Sequence, residues 1–419
     1  MAMVTKRNTA KNTSYISNSQ ILRKHRPDYV ILILSLILLS AGLVVMYSIS
    51  PALAAQGGNV SENYFVIRQF VAIIMGLAAF FVASRIPFDF WLKYQKPLII
   101  TAILLSLATV ATGGMASRWL QFGFFSFQPV EFVKFILIIL LSGFLANLAI
   151  TGELTSFKRL KPLIIISSVL AFIIVALQRD LGSTMVLCTI MLGIAFVAGF
   201  PMKKLFIVGI LVVVLAVMAI SSTAYRRERL MTFLAPERDC VDKGWHACQA
   251  LIAVGSGGLT GLGLGRSVQA YGYLPEAEND SIFAIFAEKF GFIGVVILIG
   301  LIGTLLTRIL NIMQRVPNRY MQLVCVGVFT WLSVQAVFNI ASMVGLMPLK
   351  GITLPFVSYG GTSLIFAMAG LGLVFQASYY TTMRKVNLSN NDPKGGSGEN
   401  ISNRRRDSRP HYTVTRRSI

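Results

Sequence analysis

Three acidic residues, Glu276, Glu278 and Asp280, lie within five positions and directly precede an apolar run over 281–307 that is long enough to cross a bilayer. Asp280 has two compatible roles at this position. As the residue before a helix, it can accept hydrogen bonds from the free backbone amides of the first turn. It can also hold a carboxylate at the depth of a lipid headgroup, where it suits general-base chemistry. The residue types alone leave both roles open.

A second ionisable pair, Glu131 and Lys134, lies inside the apolar run that follows Pro129. Proline suits the first turn of a helix, so the two side chains fall at i,i+3 on one helix face. Ionisable residues within a membrane span are costly and usually face an internal cavity. Because Arg118 and Gln128 lie just outside the span, we expect the pair to face a polar cavity rather than lipid. The alternative is an intrahelical ion pair that neutralises itself.

Two further charged residues interrupt apolar surroundings. Asp180 lies in a short polar break over 178–184, which predicts a tight turn in which Asp180 caps the following helix; the alternative is that it helps to shape the same cavity. Lys350 lies with Ser358 in a segment over 345–363, whose prolines and paired glycines prevent a continuous helix. A lysine in this segment could pair with an anionic headgroup.

The glycine-rich stretch over 253–265 resembles a phosphate loop only superficially, because no Lys-Ser or Lys-Thr pair follows it and no strand–helix unit frames it. It predicts a tightly turning loop with close backbone approach. Cys240 and Cys248 lie in the same long segment and outside the membrane; either they form a disulfide or they remain two free thiols. The histidines are scattered and the cysteine spacing is wrong for a metal-ligand set.

These residues must be positioned by membrane helices. Of 419 residues, 55% are hydrophobic and only 13% are charged, which indicates an all-α polytopic membrane protein. About ten apolar stretches have the length of a transmembrane helix, and one long extracytoplasmic loop over 223–280 separates the seventh from the eighth. The predicted spans are 29–49, 64–84, 97–112, 129–149, 161–177, 181–199, 203–222, 281–307, 319–345 and 360–383.

The net charge of +21 follows the predicted topology. Lysines and arginines concentrate on alternate connections and at both ends of the chain, which predicts that the N-terminus and the C-terminus are both cytoplasmic. The basic residues therefore attract anionic membrane lipids and indicate no nucleic-acid binding. Polar, apolar-poor composition predicts disordered basic cytoplasmic tails over 1–28 and 386–419, on either side of one transmembrane domain over 29–385.

Five motifs occur in order along the chain, and together they resemble the SEDS (shape, elongation, division, sporulation) family, which includes FtsW and RodA. Each motif alone is weak, but the ordered set is specific and covers about 30–385. The motifs are Arg118-Trp119 with Gln128-Pro129, Glu131 and Lys134; Gln178 with Asp180-Leu181-Gly182; Gly255 to Gly258 with Gly261 to Gly265; Tyr273 to Ala277 with Asn279-Asp280; and Leu354 to Gly361. Lys350-Gly351 is more similar to the division branch, FtsW, than to the elongation branch.

Four positions depart from the family pattern. Ser281 stands where the family usually has Phe, Lys289-Phe290 replace a common Glu-Leu, and Val130 replaces a frequent Ser. Asp280 and the Glu131/Lys134 pair are intact, so we expect these departures to alter local packing more than chemistry.

The resemblance implies a ten-span peptidoglycan glycosyltransferase of the cytoplasmic membrane. It would polymerise lipid II, an undecaprenyl-diphosphate-linked disaccharide peptide, on the outer face during cell division, with a class B penicillin-binding transpeptidase and other divisome proteins as partners. The family's essential aspartate matches Asp280, which we expect to be the catalytic base, and a divalent cation (Mg²⁺ or Mn²⁺) is a candidate cofactor. The substrate-binding candidates are Arg118, Gln128, Glu131, Lys134, Asp180, Glu276, Lys350 and Ser358.

Three other interpretations remain open. A flippase or transporter of a lipid-linked substrate would also use polar membrane residues and broken helices, and should need its intramembrane charges more than Asp280. An elongation-type polymerase of the same family would share the chemistry. A scaffold for the division machinery would tolerate the loss of either set of residues.

Overall fold

The computed structural model describes residues 26–56, 61–113, 118–123, 125–221, 224–234, 240–242 and 244–381. Apart from 26–28, the predicted tails lie outside these ranges, within which the chain folds into twelve α-helices and one short antiparallel hairpin. The helices are α1 (Tyr29–Gln56), α2 (Tyr64–Arg85), α3 (Phe88–Gly113), α4 (Pro129–Thr151), α5 (Phe157–Phe172), α6 (Leu181–Ala198), α7 (Met202–Ser221), α8 (Ala224–Leu234), α9 (Trp245–Ser256), α10 (Ile282–Arg315), α11 (Arg319–Met343) and α12 (Gly361–Ser378). The hairpin pairs β1 (Leu120–Phe122) with β2 (Phe125–Phe127).

Among the described residues, ten helices are long and apolar enough to cross a membrane, namely α1–α7 and α10–α12. They match the ten predicted spans in order. The third span differs most, because α3 begins at Phe88 rather than at 97. In the sequence, the apolar run begins only after Lys93 and Lys96. The helix begins before these lysines and also includes Pro97. Hydropathy therefore marks the part of this helix that meets lipid and misses its polar first turns.

The centre of the bundle is formed by α4, α11 and α12, which are the most buried spans. Close packing of α2 on α12 depends on small residues. An added Cβ at Gly372 would lie 2.4 Å from Phe80 O, and one at Gly76 would lie 2.5 Å from the Leu364 side chain. Glycine permits such approach between membrane helices, where van der Waals packing rather than the hydrophobic effect drives association.

The eighth span, α10, is broken at Gly291, whose backbone (φ 63°, ψ −167°) is not helical. A break of this kind leaves backbone amides and carbonyls without partners inside the helix. The glycine-rich loop supplies them: Leu262 N donates to Glu288 O at 2.9 Å, and Phe292 N donates to Gly258 O at 2.9 Å. Irregular backbone is thus tolerated within the span because protein, not lipid, surrounds it.

The predicted close approach of the glycine-rich loop is confirmed at Gly261, where an added Cβ would lie 2.2 Å from Lys289 O. Two buried charged side chains of α10 hold the same loop. The Glu288 carboxylate accepts from the backbone amide of Val268 at 2.8 Å, and the Lys289 ammonium donates to Leu264 O at 3.0 Å. The first half of α10 and the loop therefore form one packed unit, which begins two residues after Asp280.

Because the ten spans make an even number of crossings, both ends of the described chain lie at the same end of the bundle. The opposite end carries the hairpin, the turn over 178–180, the long segment between α7 and α10, and the segment over 344–360. We refer to this end as the cavity face.

Candidate functional site

A cavity of about 640 Å³ opens at the cavity face. This volume is typical of a site for a small or medium-sized ligand. Its wall brings together acidic and basic side chains from segments that are far apart in the chain. Six of the residues predicted from the sequence line it: Arg118, Gln128, Asp180, Glu276, Asp280 and Lys350.

Asp280 is half-buried in the cavity wall beside Gly351, where an added Cβ would lie 3.4 Å from Asp280 Oδ2. Among the described residues, no side chain donates a hydrogen bond to its carboxylate. Burial, together with the negative charge of Glu276, raises the pKa of Asp280 to about 7. A carboxyl with this pKa can change its protonation state close to neutral pH.

Of the two roles left open for Asp280, the structure excludes the capping one, because Asp280 is not the N-cap residue of α10. The N-cap position belongs to Ser281, whose side chain makes no capping hydrogen bond. The reason is a turn over 276–281, in which Ser281 N donates to Glu276 O at 3.1 Å and so delays the helix start by one residue. The Asp280 carboxylate is consequently available to the cavity rather than engaged with the first helical turn.

Three hydrogen bonds fix the backbone on either side of this carboxylate. Asn339 Nδ2 donates to Asp280 O at 2.7 Å, Ser358 Oγ donates to Asn279 O at 2.7 Å, and Tyr359 N donates to Glu278 O at 2.9 Å. Asn339 also donates to the carbonyl of Ile352 at 2.8 Å, so it joins the two segments that form this wall. Sequence reasoning missed Asn339, although an asparagine within an apolar span is a recognisable signal.

The prediction that Ser358 binds substrate is not supported by its position. Its buried hydroxyl donates to Asn279 O and accepts from Leu354 N at 2.7 Å, and it is not among the described residues that line the cavity. Ser358 instead holds the segment that carries Asp280.

Basic side chains line the cavity from five separate segments. Arg118 donates to the carbonyls of Gln178 (3.3 Å) and Arg179 (2.9 Å), which fixes its guanidinium against the 178–180 turn. Lys350 contacts Met185, and burial lowers the pKa of the lysine. Arg68 of α2, Arg179 of the 178–180 turn and Arg229 of α8 also line the cavity. Sequence reasoning did not single out Arg68, because one arginine near the start of a span is unremarkable.

Asp180 caps α6 as predicted. Its carboxylate accepts from the backbone amide of Ser183 at 3.0 Å and from the Ser183 hydroxyl at 2.8 Å. It also lines the cavity, so both alternatives for this residue hold. Gln128 occupies the N-cap position of α4, and its backbone N–H donates to the hydroxyl of Thr362 at 3.3 Å.

The expectation that Glu131 and Lys134 face the cavity is wrong. Both side chains are buried, at 4% and 1% exposure, and neither is among the described residues that line the cavity. Lys134 Nζ lies 2.7 Å from Glu131 Oε1 and 5.5 Å from the centre of the Trp331 ring. Neighbouring helices enclose the pair, so that it faces neither lipid nor the cavity. The alternative, an ion pair within one helix, is what the structure contains.

In the structure, Cys240 and Cys248 are joined by a disulfide, with their Cα atoms 5.6 Å apart. Cys248 lies in the first turns of α9, close to His246, which lines the cavity. His246 Nε2 lies 2.7 Å from Ser281 Oγ, and burial together with the positive charge of Arg229 lowers the pKa of the histidine. No pattern in the sequence indicates that His246 lies at the site.

The fold and the site define a polytopic helical membrane protein with a polar, arginine-rich cavity at one membrane boundary and a single carboxylate held there without a side-chain partner among the described residues. The sequence model of the FtsW/RodA/SpoVE family, described as cell cycle protein, matches residues 28–383. The chain belongs to this family.

Relatives and solved structures agree with this assignment. A probable peptidoglycan glycosyltransferase FtsW of Nitrosomonas europaea is 35% identical over 87% of this chain and 96% of its own length. Stage V sporulation protein E of Bacillus subtilis is 35% identical over 86% and 99%. A peptidoglycan synthase complex described as coordinating polymerization and crosslinking matches with a TM-score of 0.69 and 27% identity, covering 84% of this chain and 97% of that one. The rod shape determining protein RodA of Thermus thermophilus matches with a TM-score of 0.62, 26% identity and coverages of 84% and 96%.

Proposed function

We propose that this protein is a peptidoglycan glycosyltransferase that polymerises lipid II during cell division. In this proposal the cavity face is the outer face of the cytoplasmic membrane, and both termini are cytoplasmic. The lysine and arginine asymmetry of the sequence supports this orientation. The names of the relatives support the activity. The observation that carries the proposal is the Asp280 carboxyl, which has a pKa of about 7 and lies in a cavity lined by basic side chains.

The reaction joins the 4-hydroxyl of an acceptor sugar to the anomeric carbon of a donor sugar. As the new C–O bond forms, the C–O bond to the lipid diphosphate breaks, and the hydroxyl proton passes to the Asp280 carboxylate. A general base of this kind contributes about 10²–10⁴-fold to the rate. One base suffices, because a diphosphate leaves without being protonated, and attack from the face opposite the leaving group inverts the anomeric carbon.

The departing diphosphate carries negative charge, which must be stabilised as it develops. Arg118 and Lys350 are suited to this task because both line the cavity and both are held by neighbouring atoms. Preorganised cations contribute most when they require no rearrangement at the moment of reaction. The guanidinium of Arg118 is fixed by two carbonyls, which leaves its remaining donors for phosphate oxygens.

A divalent cation fits this site only as a ligand shared with substrate. Among the described residues, no group of three or more His, Cys, Asp or Glu side chains converges to hold a metal ion. Mg²⁺, however, is commonly bound by one or two carboxylates together with substrate phosphates. Asp280 and Glu276 would hold such an ion, which would neutralise charge on the diphosphate when bound.

A class B penicillin-binding transpeptidase is the proposed protein partner, with other division proteins beyond it. The similarity to a peptidoglycan synthase complex that couples polymerization to crosslinking supports a partner of this type. Lipid II is the proposed substrate, since a cavity at the membrane boundary can receive a headgroup whose lipid remains in the bilayer.

The first prediction concerns Asp280→Asn in the purified full-length protein, assayed for glycan-chain synthesis from purified lipid II with and without a co-purified transpeptidase. We expect the substitution to lower synthesis by about 10²-fold or more, because the amide cannot accept the proton. Folding should change little, since the carboxylate receives no hydrogen bond from a described side chain.

Glu153→Gln is the matched control for this experiment. Glu153 pairs with Arg159 at 3.0 Å at the end of the bundle opposite the cavity, so its loss should leave synthesis unchanged. Near-wild-type chain synthesis by Asp280→Asn would remove Asp280 from the mechanism. Transfer of lipid II across vesicle membranes without any polymerisation would favour the transporter interpretation.

A further inference from the structure

The first turn of α9 contacts both ends of the segment that carries Asp280. Trp245 Nε1 donates to Tyr273 O at 2.8 Å, near the start of the segment. His246 Nε2 lies 2.7 Å from Ser281 Oγ, directly after Asp280. Two consecutive residues of one helix therefore hold the 273–281 segment from the same side.

The direction of the His246–Ser281 hydrogen bond follows from the single proton of the serine hydroxyl. Ser281 Oγ donates that proton to Pro275 O at 2.8 Å, so it can only accept from the imidazole. His246 Nε2 must therefore carry a hydrogen and act as the donor. The chain of bonds runs from His246 through Ser281 to Pro275, and it closes the turn that contains Asp280. Because Nε2 is protonated in both the neutral and the charged imidazole, this bond survives titration of His246.

The Ser281 side chain does not stabilise the start of the helix that it precedes. Ser281 occupies the N-cap position of α10, but its side chain caps no backbone amide of the first turn. A serine at this position ordinarily accepts from such an amide. Here the hydroxyl is engaged with His246 and Pro275, so it serves the geometry of the turn.

α9 is itself fixed at both ends. The Cys240–Cys248 disulfide ties its first turns to the preceding chain. At its other end, an added Cβ at Gly257 would lie 2.1 Å from Ala287 O, so the helix terminus packs directly against the backbone of α10. A donor carried on a helix that is held in this way can impose its position on the turn it contacts.

We propose that His246 is a positioning residue for Asp280 and that it acts through the Ser281 hydroxyl. This inference rests on the proposed function, because it assigns a role relative to the proposed base. His246 does not exchange a proton with substrate in this account. It keeps the turn over 275–281 closed, so that the neighbouring carboxylate stays at the depth and angle required for proton transfer.

The test is a double-mutant cycle on His246→Ala and Ser281→Ala in the full-length protein, assayed for glycan synthesis from lipid II. Each single substitution should lower kcat by about 10-fold with KM changed less than about two-fold. The double substitution should be no worse than Ser281→Ala alone, because Ser281→Ala already removes the bond to His246 together with the bond to Pro275. His246→Gln should restore most of kcat, since its amide nitrogen can donate in place of Nε2. Ser256→Ala is the control: it lies on the same helix and loses only a bond to Ala253 O.

Losses in kcat that multiply in the double variant would overturn the proposal, as would a glutamine variant as slow as alanine. The variants are compared at equal thermal midpoints. If His246→Ala fails to fold, the other two variants carry the test: Ser281→Ala should still lower kcat by about 10-fold, and His246→Gln should still keep most of the wild-type kcat. Asp280→Asn is run in the same assay. If it is inactive while the His246 and Ser281 effects multiply, the proposed function stands and only the positioning role fails; if it is active, the proposed function itself fails.

Discussion

The Asp280 carboxyl is surrounded by features that oppose its ionisation. Burial removes it from water, and two further carboxyls, Glu276 and Glu278, add negative charge nearby. Glu276 is held close by a left-handed backbone conformation (φ 50°) and by a hydrogen bond of 2.6 Å from Asn279 Nδ2. Left-handed conformations are costly for residues other than glycine and cluster at functional sites. The turn thus keeps a second acid beside the proposed base, and that acid tunes its pKa.

A pH profile tests this electrostatic coupling. A base must be ionised to accept a proton, so kcat/KM should rise with pH through an acidic limb at about 7, the pKa of Asp280. Glu276→Gln removes a negative charge that raises this pKa, so the limb should move to lower pH. Gln keeps an oxygen that accepts from Asn279, which preserves the turn. The profile is measured from initial rates between about pH 5 and 9, which extends on both sides of the pKa of Asp280. A limb that does not move would show that another group controls the profile.

The site was predictable from the sequence only where a residue's type conflicts with its surroundings. Asp280, Arg118 and Lys350 are charged residues beside apolar runs, and the structure places all three in the cavity. Roles that depend on distant segments could not be predicted in the same way. Ser358 has the composition of a ligand-binding residue, but its hydroxyl is engaged by Asn279 and by its own loop. His246 lacks any sequence signal because its partner, Ser281, lies 35 positions away.

Among the elements, the broken helix α10 couples the glycine-rich loop to the site. The loop replaces the missing backbone partners at the break, and the first half of α10 begins two residues after Asp280. Any displacement of the loop should therefore move the helix start and the turn before it. Close approach to the backbone of α10 explains Gly257 and Gly261, where an added Cβ would lie 2.1 Å and 2.2 Å from a carbonyl oxygen, whereas a left-handed backbone explains Gly258 and Gly263.

Two glycines of the loop provide a matched comparison. Gly261 (φ 81°) and Gly263 (φ 85°) share the same left-handed conformation, which costs an alanine roughly 1–2 kcal/mol. An added Cβ at Gly261 would also lie 2.2 Å from Lys289 O, whereas at Gly263 nothing lies within 4 Å. Gly261→Ala should therefore lower the thermal midpoint in detergent well beyond Gly263→Ala, and it alone should abolish glycan synthesis. Equal losses in the two variants would show that backbone conformation, and not contact with α10, explains the glycines.

Hydropathy predicted the order of all ten spans, because each crosses the same apolar layer. It could not show the break at Gly291, since the predicted span over 281–307 continues well beyond this glycine in both directions and glycine is common in membrane helices. It also could not show that Glu288 and Lys289 are buried by loop backbone rather than by each other. Such features depend on which segment fills the space beside a helix, and only the assembled fold supplies that information.

At the scale of the whole molecule, the bundle is organised around α4, which packs against α3, α6, α11 and α12. Its ion pair, Glu131 and Lys134, lies in this central position, away from the cavity. The sequence correctly predicted that the pair does not face lipid. It could not distinguish a position in the protein interior from one in a polar cavity, because both keep the charges away from lipid. Only one carboxylate oxygen is paired: Glu131 Oε2 has no hydrogen-bond partner among the described residues. From its position, we expect the pair to support packing of the central helices rather than to bind substrate.

The last prediction separates these roles by removing one charge or both. Lys134→Met leaves the Glu131 carboxylate buried without its cation, which should cost about 3–5 kcal/mol and sharply reduce the folded yield. Glu131→Met combined with Lys134→Met replaces both charged side chains by apolar ones of similar volume, and a methionine at position 134 can pack against the Trp331 ring. Replacing a buried ion pair in this way is often neutral or stabilising, so the thermal midpoint should return to within a few degrees of wild type. If the pair only supports packing, glycan synthesis by the double variant should recover with the midpoint. A double variant as unstable as Lys134→Met would contradict the packing argument, and one that folds normally but makes no glycan would assign the pair to the chemistry after all.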